Sequence, residues 1–280
     1  LTILKREING EAYMTAYDGY GAIARVYDKL NAELDYGAWA DFFEACFDRF
    51  LPTRPVLLLD LACGTGKMTL ELARRGYDMI GADGSEEMLC EAMLASDLDE
   101  ELEKRPLFIL QDMRAFELYG TVGAVSCCLD SLNYLTGNGD LDACFACVHN
   151  YLDPDGLFLF DMNTPYRFRE VYGDRAYVLE DEMEDEQGNK KEIYCGWQNA
   201  YDSQTKLCQF YLSLFEQNAD GSFTRADEVQ TERCYEFSEI KAALDRAGFE
   251  FLGVWANFDF AAPEENTERW YFAARAKKNT

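Results

Sequence analysis

A short apolar run that stops at paired glycines constrains this chain more than any other feature. Val56-Leu57-Leu58-Leu59-Asp60-Leu61 is apolar apart from one carboxylate, as expected of a strand buried on both faces of a parallel sheet. Gly64-Thr65-Gly66 breaks the run, and Lys67 to Arg75 reads as a helix closed by Gly76. Strand, glycine turn and helix open an α/β sheet in which ligands sit at the carboxyl ends of the strands.

The same alternation continues downstream. Asp78 to Ala82 reads as a second strand ending at Asp83, and Ser85 caps a helix with Glu86 and Glu87 in its first turn. Leu107 to Leu110 is a third strand, ending at Gln111-Asp112, and Val122 to Leu129 is a fourth. A helix over Leu141 to Leu152, a turn at Asp153-Pro154-Asp155-Gly156 and a fifth strand over Leu157 to Phe160, ending at Asp161, follow. Upstream, Trp39, Phe42, Phe43, Cys46, Phe47 and Phe50 mark one face of a helix that Pro52 and Pro55 end. From residue 171 the period changes. Tyr177 to Glu184, Glu192 to Tyr201, Leu207 to Glu216 and Ser222 to Arg233 read as strands separated by turn residues. Ser238 then caps a helix ending at Gly248, and two strands, Phe249 to Asn257 and Trp270 to Ala276, close the chain as an antiparallel edge pair. The expected fold is α/β: a Rossmann-like, mostly parallel seven-stranded sheet with helices on both faces, plus an inserted antiparallel meander. Residues 1–170 and 236–280 would form the core with an N-terminal helical cap, and 171–235 a β lid.

The glycine turn alone suits any nucleotide-like cofactor. The dinucleotide fingerprint wants a third glycine three residues after the second, where this chain has Thr69. Asp60, just before the turn, would repel a pyrophosphate and attract a cationic group. Asp60-Leu61-Ala62-Cys63-Gly64-Thr65-Gly66 resembles motif I of the class I S-adenosylmethionine (SAM) dependent methyltransferases, with Ala62 in place of the first glycine. The resemblance covers about residues 55–165 well, and the last helix and two strands more loosely. It implies SAM as cofactor, with Asp60, Ala62, Cys63, Gly64, Thr65 and Gly66 against its methionine part. It implies further that Asp83 accepts from both ribose hydroxyls and that Met88 borders the adenine. Asp112 would accept from the adenine amino group beside Gln111 and Met113, and Leu129 would line the cofactor channel.

Methyl transfer is an in-line displacement that SAM itself activates, so no catalytic side chain is obligatory. Position alone nominates Asp130 after strand four, Asn163 after strand five, and Tyr20 and Tyr27 in a tyrosine-rich N-terminal segment that covers the site in similar enzymes. Asn163-Thr164-Pro165-Tyr166 resembles the N-P-P-Y motif of amide and adenine N-methyltransferases, although that motif follows strand four and has proline where Thr164 stands. The meander contributes Tyr194, Trp197, Phe210, Tyr211 and Phe215, suited to shaping an acceptor pocket or an interface between copies.

A net charge of −26 opposes binding to a phosphate backbone, so no nucleic-acid partner is expected, and an acidic surface favours a neutral or cationic acceptor such as an amine. No apolar run is long enough for a membrane span, and the first residues show no secretory pattern. Residues 1–13 lack clear periodicity, and Met14 is a candidate natural start. Ten cysteines without an export signal suit a reducing cytoplasm. Cys144, Cys147 and His149 read as one helix with a buried face, and no metal is expected. The expected function is methyl transfer from SAM to an oxygen or nitrogen of a small molecule, by a monomer or homodimer. A non-catalytic SAM-binding protein and a nicotinamide-dependent oxidoreductase are the alternatives.

Overall fold

In the computed structural model, which describes residues 34–184 and 190–278, the run at 57–61 becomes an interior strand of a seven-stranded sheet. The elements in chain order are α1 (Tyr36–Phe50), β1 (Leu57–Leu61), α2 (Lys67–Arg74), β2 (Asp78–Asp83), α3 (Glu86–Leu98), β3 (Leu107–Leu110) and β4 (Val122–Cys127). There follow α4 (Asp140–Tyr151), β5 (Leu152–Asn163), a π-helix (Arg167–Tyr172), β6 (Ala176–Glu184), β7 (Lys190–Asp202), β8 (Leu207–Gln217) and β9 (Phe223–Arg233). Helix α5 (Phe237–Ala247) and strands β10 (Phe249–Trp255) and β11 (Arg269–Ala276) complete the described chain. The large sheet has the order β10-β11-β5-β4-β1-β2-β3. Strands β1 to β5 pair in parallel, and β11 lies antiparallel between β5 and β10.

Period-two alternation sorts the two faces. Leu58, Leu157 and Leu159 pack against Phe43, Phe47, Met68 and Leu72 of α1 and α2. Leu59, Phe158 and Phe160 face the other way, onto Phe145 and Val148 of α4 and Ile240 and Leu244 of α5. Each such side chain, fully buried, contributes about 1.5–3 kcal/mol of hydrophobic free energy, so both sheet faces need helical cover. Among the described residues, no helix is long and apolar enough to cross a membrane.

Four local expectations are corrected. Strand β4 stops at Cys127 rather than Leu129, because Leu129 and Asp130 adopt left-handed backbone angles (φ 57° and 55°) that turn the chain across the sheet top. The turn at 153–156 is folded into β5: Leu152 pairs with Val122, and pairing resumes at Ala124 with Leu157. At its other end β5 runs on to Asn163, because β11 pairs Tyr271 with Asp161 and Arg269 with Asn163. Helix α5 starts at Phe237, where the Glu239 side chain accepts the Glu236 N–H at 2.9 Å in a capping box, so Ser238 is not its cap.

The meander forms a separate sheet in the order β6-β7-β8-β9, antiparallel throughout. Cys208, Phe210, Leu212 and Leu214 alternate along one buried face of β8, and Phe168 of the π-helix packs onto its base. Alternation therefore separates the aromatics: Trp197 and Phe210 lie on that face, whereas Tyr194, Tyr211 and Phe215 occupy the opposite one.

Candidate cofactor and acceptor site

The turn after β1 is built from left-handed residues: Ala62, Gly64 and Gly66 have φ of 57°, 54° and 77°. Asp83, at the end of β2, holds this turn in place. Its Oδ2 accepts the Gly64 N–H and its Oδ1 the Ser85 N–H, both at 2.8 Å. Burial raises the Asp83 pKa, and these backbone N–H bonds oppose the rise. A Cβ added to Gly64 would meet nothing within 4 Å, so the turn offers bare backbone to open space there. A Cβ on Gly66 would stand 2.9 Å from the Ala92 Cβ and 3.2 Å from the Phe108 ring. Gly66→Ala combines a left-handed penalty with overpacking and is expected to cost about 2–4 kcal/mol. Urea unfolding checks this, and a cost within ~0.5 kcal/mol would mean that α3 moves aside freely.

Two adjoining hollows run along the strand ends and share Ala62. The larger, about 380 Å³, is lined among others by Asp83, Gln111, Asp112, Met113 and Tyr134. The smaller, about 40 Å³, is lined by Tyr36, Asp60, Cys63, Gly64, Thr65 and Leu129 among others. The strand ends thus bring together most of the residues nominated for the cofactor. Gly66 supports the turn from behind, and Met88 is buried without lining either hollow. Asp112 is exposed, and Arg114 grips its carboxylate through Nε at 2.9 Å, so an adenine amino group would share that acceptor. The residues present fit an adenosine with a cationic amino-acid tail: carboxylates at the expected ribose and tail positions, a glycine backbone with open space beside Gly64, and a hollow of small-molecule size.

Asp60 is 1% exposed, with Oδ2 accepting from the Thr69 hydroxyl at 2.6 Å and Oδ1 from Ser126 at 2.9 Å. Thr69 occupies the third-glycine position of the dinucleotide fingerprint, and its hydroxyl serves this carboxylate. Spacing alone therefore made Thr69 findable, whereas Ser126 arrives from β4 through strand register. Burial pushes the Asp60 carboxyl up to about 6, against both hydroxyl bonds.

Beside these hollows, Asp130 and Asn163 enter a buried polar cluster. The Asp130 N–H donates to Asp161 Oδ2 at 2.9 Å, and Asn163 Nδ2 donates to Asp130 Oδ2 at 2.8 Å. Arg269 of β11 forms ion pairs with Asp130, at 2.9 Å, and with Asp161. Glu232 of β9 accepts from Asn163 at 3.1 Å. Sequence reasoning missed Arg269 and Glu232, which lie far along the chain and carry no local motif. Thr164 bonds through its hydroxyl to the Thr267 carbonyl at 2.6 Å, which ties the N-P-P-Y-like segment to the start of β11. Tyr20 and Tyr27 lie outside the described residues.

Comparison with known proteins agrees with this fold. Residues 58–156 match the methyltransferase-domain family, and residues 11–102 match the ubiE/COQ5 methyltransferase family. The chain is 33% identical over 260 residues to the Bacillus subtilis (strain 168) protein YqeM, named as a methyltransferase, covering 92% of this chain and 98% of that one. It is 31% identical over 159 residues to the dTDP-3-amino-3,6-dideoxy-alpha-D-glucopyranose N,N-dimethyltransferase of Streptomyces fradiae, covering 55% and 57%. The crystal structure of a SAM-dependent methyltransferase from Clostridium acetobutylicum ATCC 824 superposes with a TM-score of 0.78 at 28% identity, over 92% of this chain and 99% of that one. Matched along nearly its whole described length in sequence and in fold, the chain belongs to the class I SAM-dependent methyltransferases.

Proposed function

We propose that this chain moves the methyl group of SAM to a small-molecule acceptor, at oxygen or nitrogen, with an amine nitrogen favoured. The observation that carries this reading is the Gly64 backbone, held by Asp83 with open space beside it, in a hollow whose lining includes Asp60. Asp83 would bind the ribose, Asp60 and the glycine turn the methionine part, and Gln111 to Met113 the adenine. The sulfonium supplies an activated methyl group, so the chain's work is to align the acceptor and exclude water. The amine preference draws on the net charge of −26 and on the S. fradiae relative, whose name specifies N-methylation of an amino sugar.

The test is incubation with SAM and a panel of amines, amino sugars and hydroxylated metabolites, read by mass spectrometry for methylated product and S-adenosylhomocysteine. Product from amines alone is expected. Product from hydroxyl compounds alone would move the acceptor to oxygen. Binding of NAD in preference to SAM would overturn the reading altogether.

The Asp60 carboxyl gives this reading a pH signature. With its pKa raised to about 6, Asp60 takes up a proton as the pH falls through that value. A bound cationic tail stabilises the ionised form, so SAM binding releases a proton and tightens as the pH rises from about 5 to about 7, by roughly tenfold per unit of pKa change. Calorimetry in two buffers of different ionisation enthalpy measures the released proton. Affinity that is flat across that range would remove Asp60 from the binding surface.

A further inference from the structure

The turn that follows β4 separates the cofactor hollows from the meander. Leu129 and Ser131 line the smaller hollow, and Tyr134, Leu135 and Thr136 line the larger one. Three contacts tie the turn to β9. The Tyr134 hydroxyl donates to Gln230 Oε1 at 2.8 Å, and Asn133 Nδ2 donates to the Arg233 carbonyl at 2.9 Å. The third runs through Asn163, whose Nδ2 donates to Asp130 Oδ2 at 2.8 Å and to Glu232 Oε2 at 3.1 Å and so brings the two carboxyl groups together.

Two carboxyl groups gathered onto one amide nitrogen repel each other unless one carries a proton. Their surroundings favour that proton. Asn163 Nδ2 has two hydrogens but three oxygens within reach: Asp130 Oδ2 at 2.8 Å, Glu232 Oε2 at 3.1 Å and the Tyr172 hydroxyl at 3.2 Å. Arg269 is the guanidinium in contact with this cluster, and it is already committed to Asp130 and Asp161. Arg167 of the π-helix packs on the Tyr172 ring and pairs with Glu268. Among the described residues, Asp130, Asn163 from β5, Tyr172 from the π-helix, Arg269 from β11 and Cys208 from β8 face Glu232, and Arg167 of the π-helix acts on Tyr172 and Asp130. Among the described residues Glu232 makes no ion pair, so burying it ionised would be costly.

We infer that Glu232 is a positioning residue for the cofactor-cleft wall, clamping the Asp130–Tyr134 turn to the meander through Asn163 and a carboxylic-acid proton held between Glu232 and Asp130. Burial raises the Glu232 pKa well above the ordinary carboxylate range, and the nearby Asp130 charge adds to the rise, which keeps the clamp closed at neutral pH. Losing the proton at alkaline pH sets two buried carboxylates against each other and frees the turn. Cofactor affinity then acquires an alkaline limb controlled by a residue outside the cofactor hollows. This inference rests on the reading that those hollows take SAM.

Two measurements test it, on wild type, Glu232→Gln and Glu232→Ala. The first is amide hydrogen exchange without cofactor at about pH 6 and about pH 9, corrected for intrinsic rates. In wild type, peptides covering 129–136 and 228–233 should lose about tenfold in protection at the higher pH, whereas β1 and β2 should not. Glu232→Gln, which keeps a neutral donor, should stay protected at both, and Glu232→Ala at neither. The second is titration with S-adenosylhomocysteine, in which wild type should weaken about tenfold toward pH 9 and Glu232→Gln should not. Superimposable exchange profiles for wild type and Glu232→Gln would overturn the clamp. Intact exchange behaviour with no nucleotide binding would instead refute the cofactor reading and leave the clamp standing.

Discussion

Replacing Arg269 by leucine is expected to cost about 3–5 kcal/mol of folding stability, because it strands two buried carboxylates. The guanidinium bonds Asp130 and Asp161, and Asp161 is fully buried with one oxygen lacking a hydrogen-bond partner among the described residues. Even with Arg269 in place, burial holds the Asp161 carboxyl up at about 6. A carboxyl raised in the folded state contributes stability below its unfolded pKa and loses it as the pH rises through its folded value. The Arg269→Leu deficit should therefore be smallest near pH 4 and widen toward pH 7 as Asp161 is forced to ionise without its cation. Urea unfolding at both ends of that range reads the effect. Arg269→Lys should recover only part of it, because one ammonium cannot serve two carboxylates with the fork of a guanidinium. A deficit under ~1 kcal/mol, or one independent of pH, would show that water replaces the arginine without strain.

Why this arginine was invisible in the sequence follows from how the site is assembled. The turn after β1, the carboxylates ending β2 and β3 and the strand–helix alternation all depend on neighbours within a few residues, where glycine angles, caps and periodicity leave marks. Asp60, Asp83 and Asp112 were legible for that reason. The Asp161 partner was not: Arg269 reaches it because β11 inserts antiparallel beside β5, 108 residues along the chain. The same pairing carries β5 past its expected end, and the left-handed Leu129 and Asp130 shorten β4 with no glycine to announce it. Glu232 is a further case, since a carboxylate in an alternating strand reads as solvent-facing until the strand is docked. Local signals located the residues proposed for the cofactor, whereas the polar cluster of Asp130, Asp161, Asn163, Glu232 and Arg269 was set by long-range register.

The proposed cofactor site also gives the largest expected binding effect, at Asp83. Its carboxylate has about four acceptor positions, and the Gly64 and Ser85 N–H groups take two of them. Asp83 lines the larger hollow, where the acceptor positions left would serve a pair of vicinal hydroxyls. Asp83→Ala removes both, each a charge-assisted bond of about 1.5–3 kcal/mol, and also releases the glycine turn. SAM and S-adenosylhomocysteine affinity should fall about 100-fold or more, corresponding to ~3 kcal/mol. Asp83→Asn separates the two effects. An amide oxygen still accepts from Gly64 or from one hydroxyl, so the turn should keep its hydrogen-exchange protection while affinity falls by about tenfold. Calorimetric titration of the three proteins with S-adenosylhomocysteine distinguishes these outcomes. If Asp83→Ala binds as wild type does, the hollow at the end of β2 is not the ribose site, and the adenosine must enter from another direction.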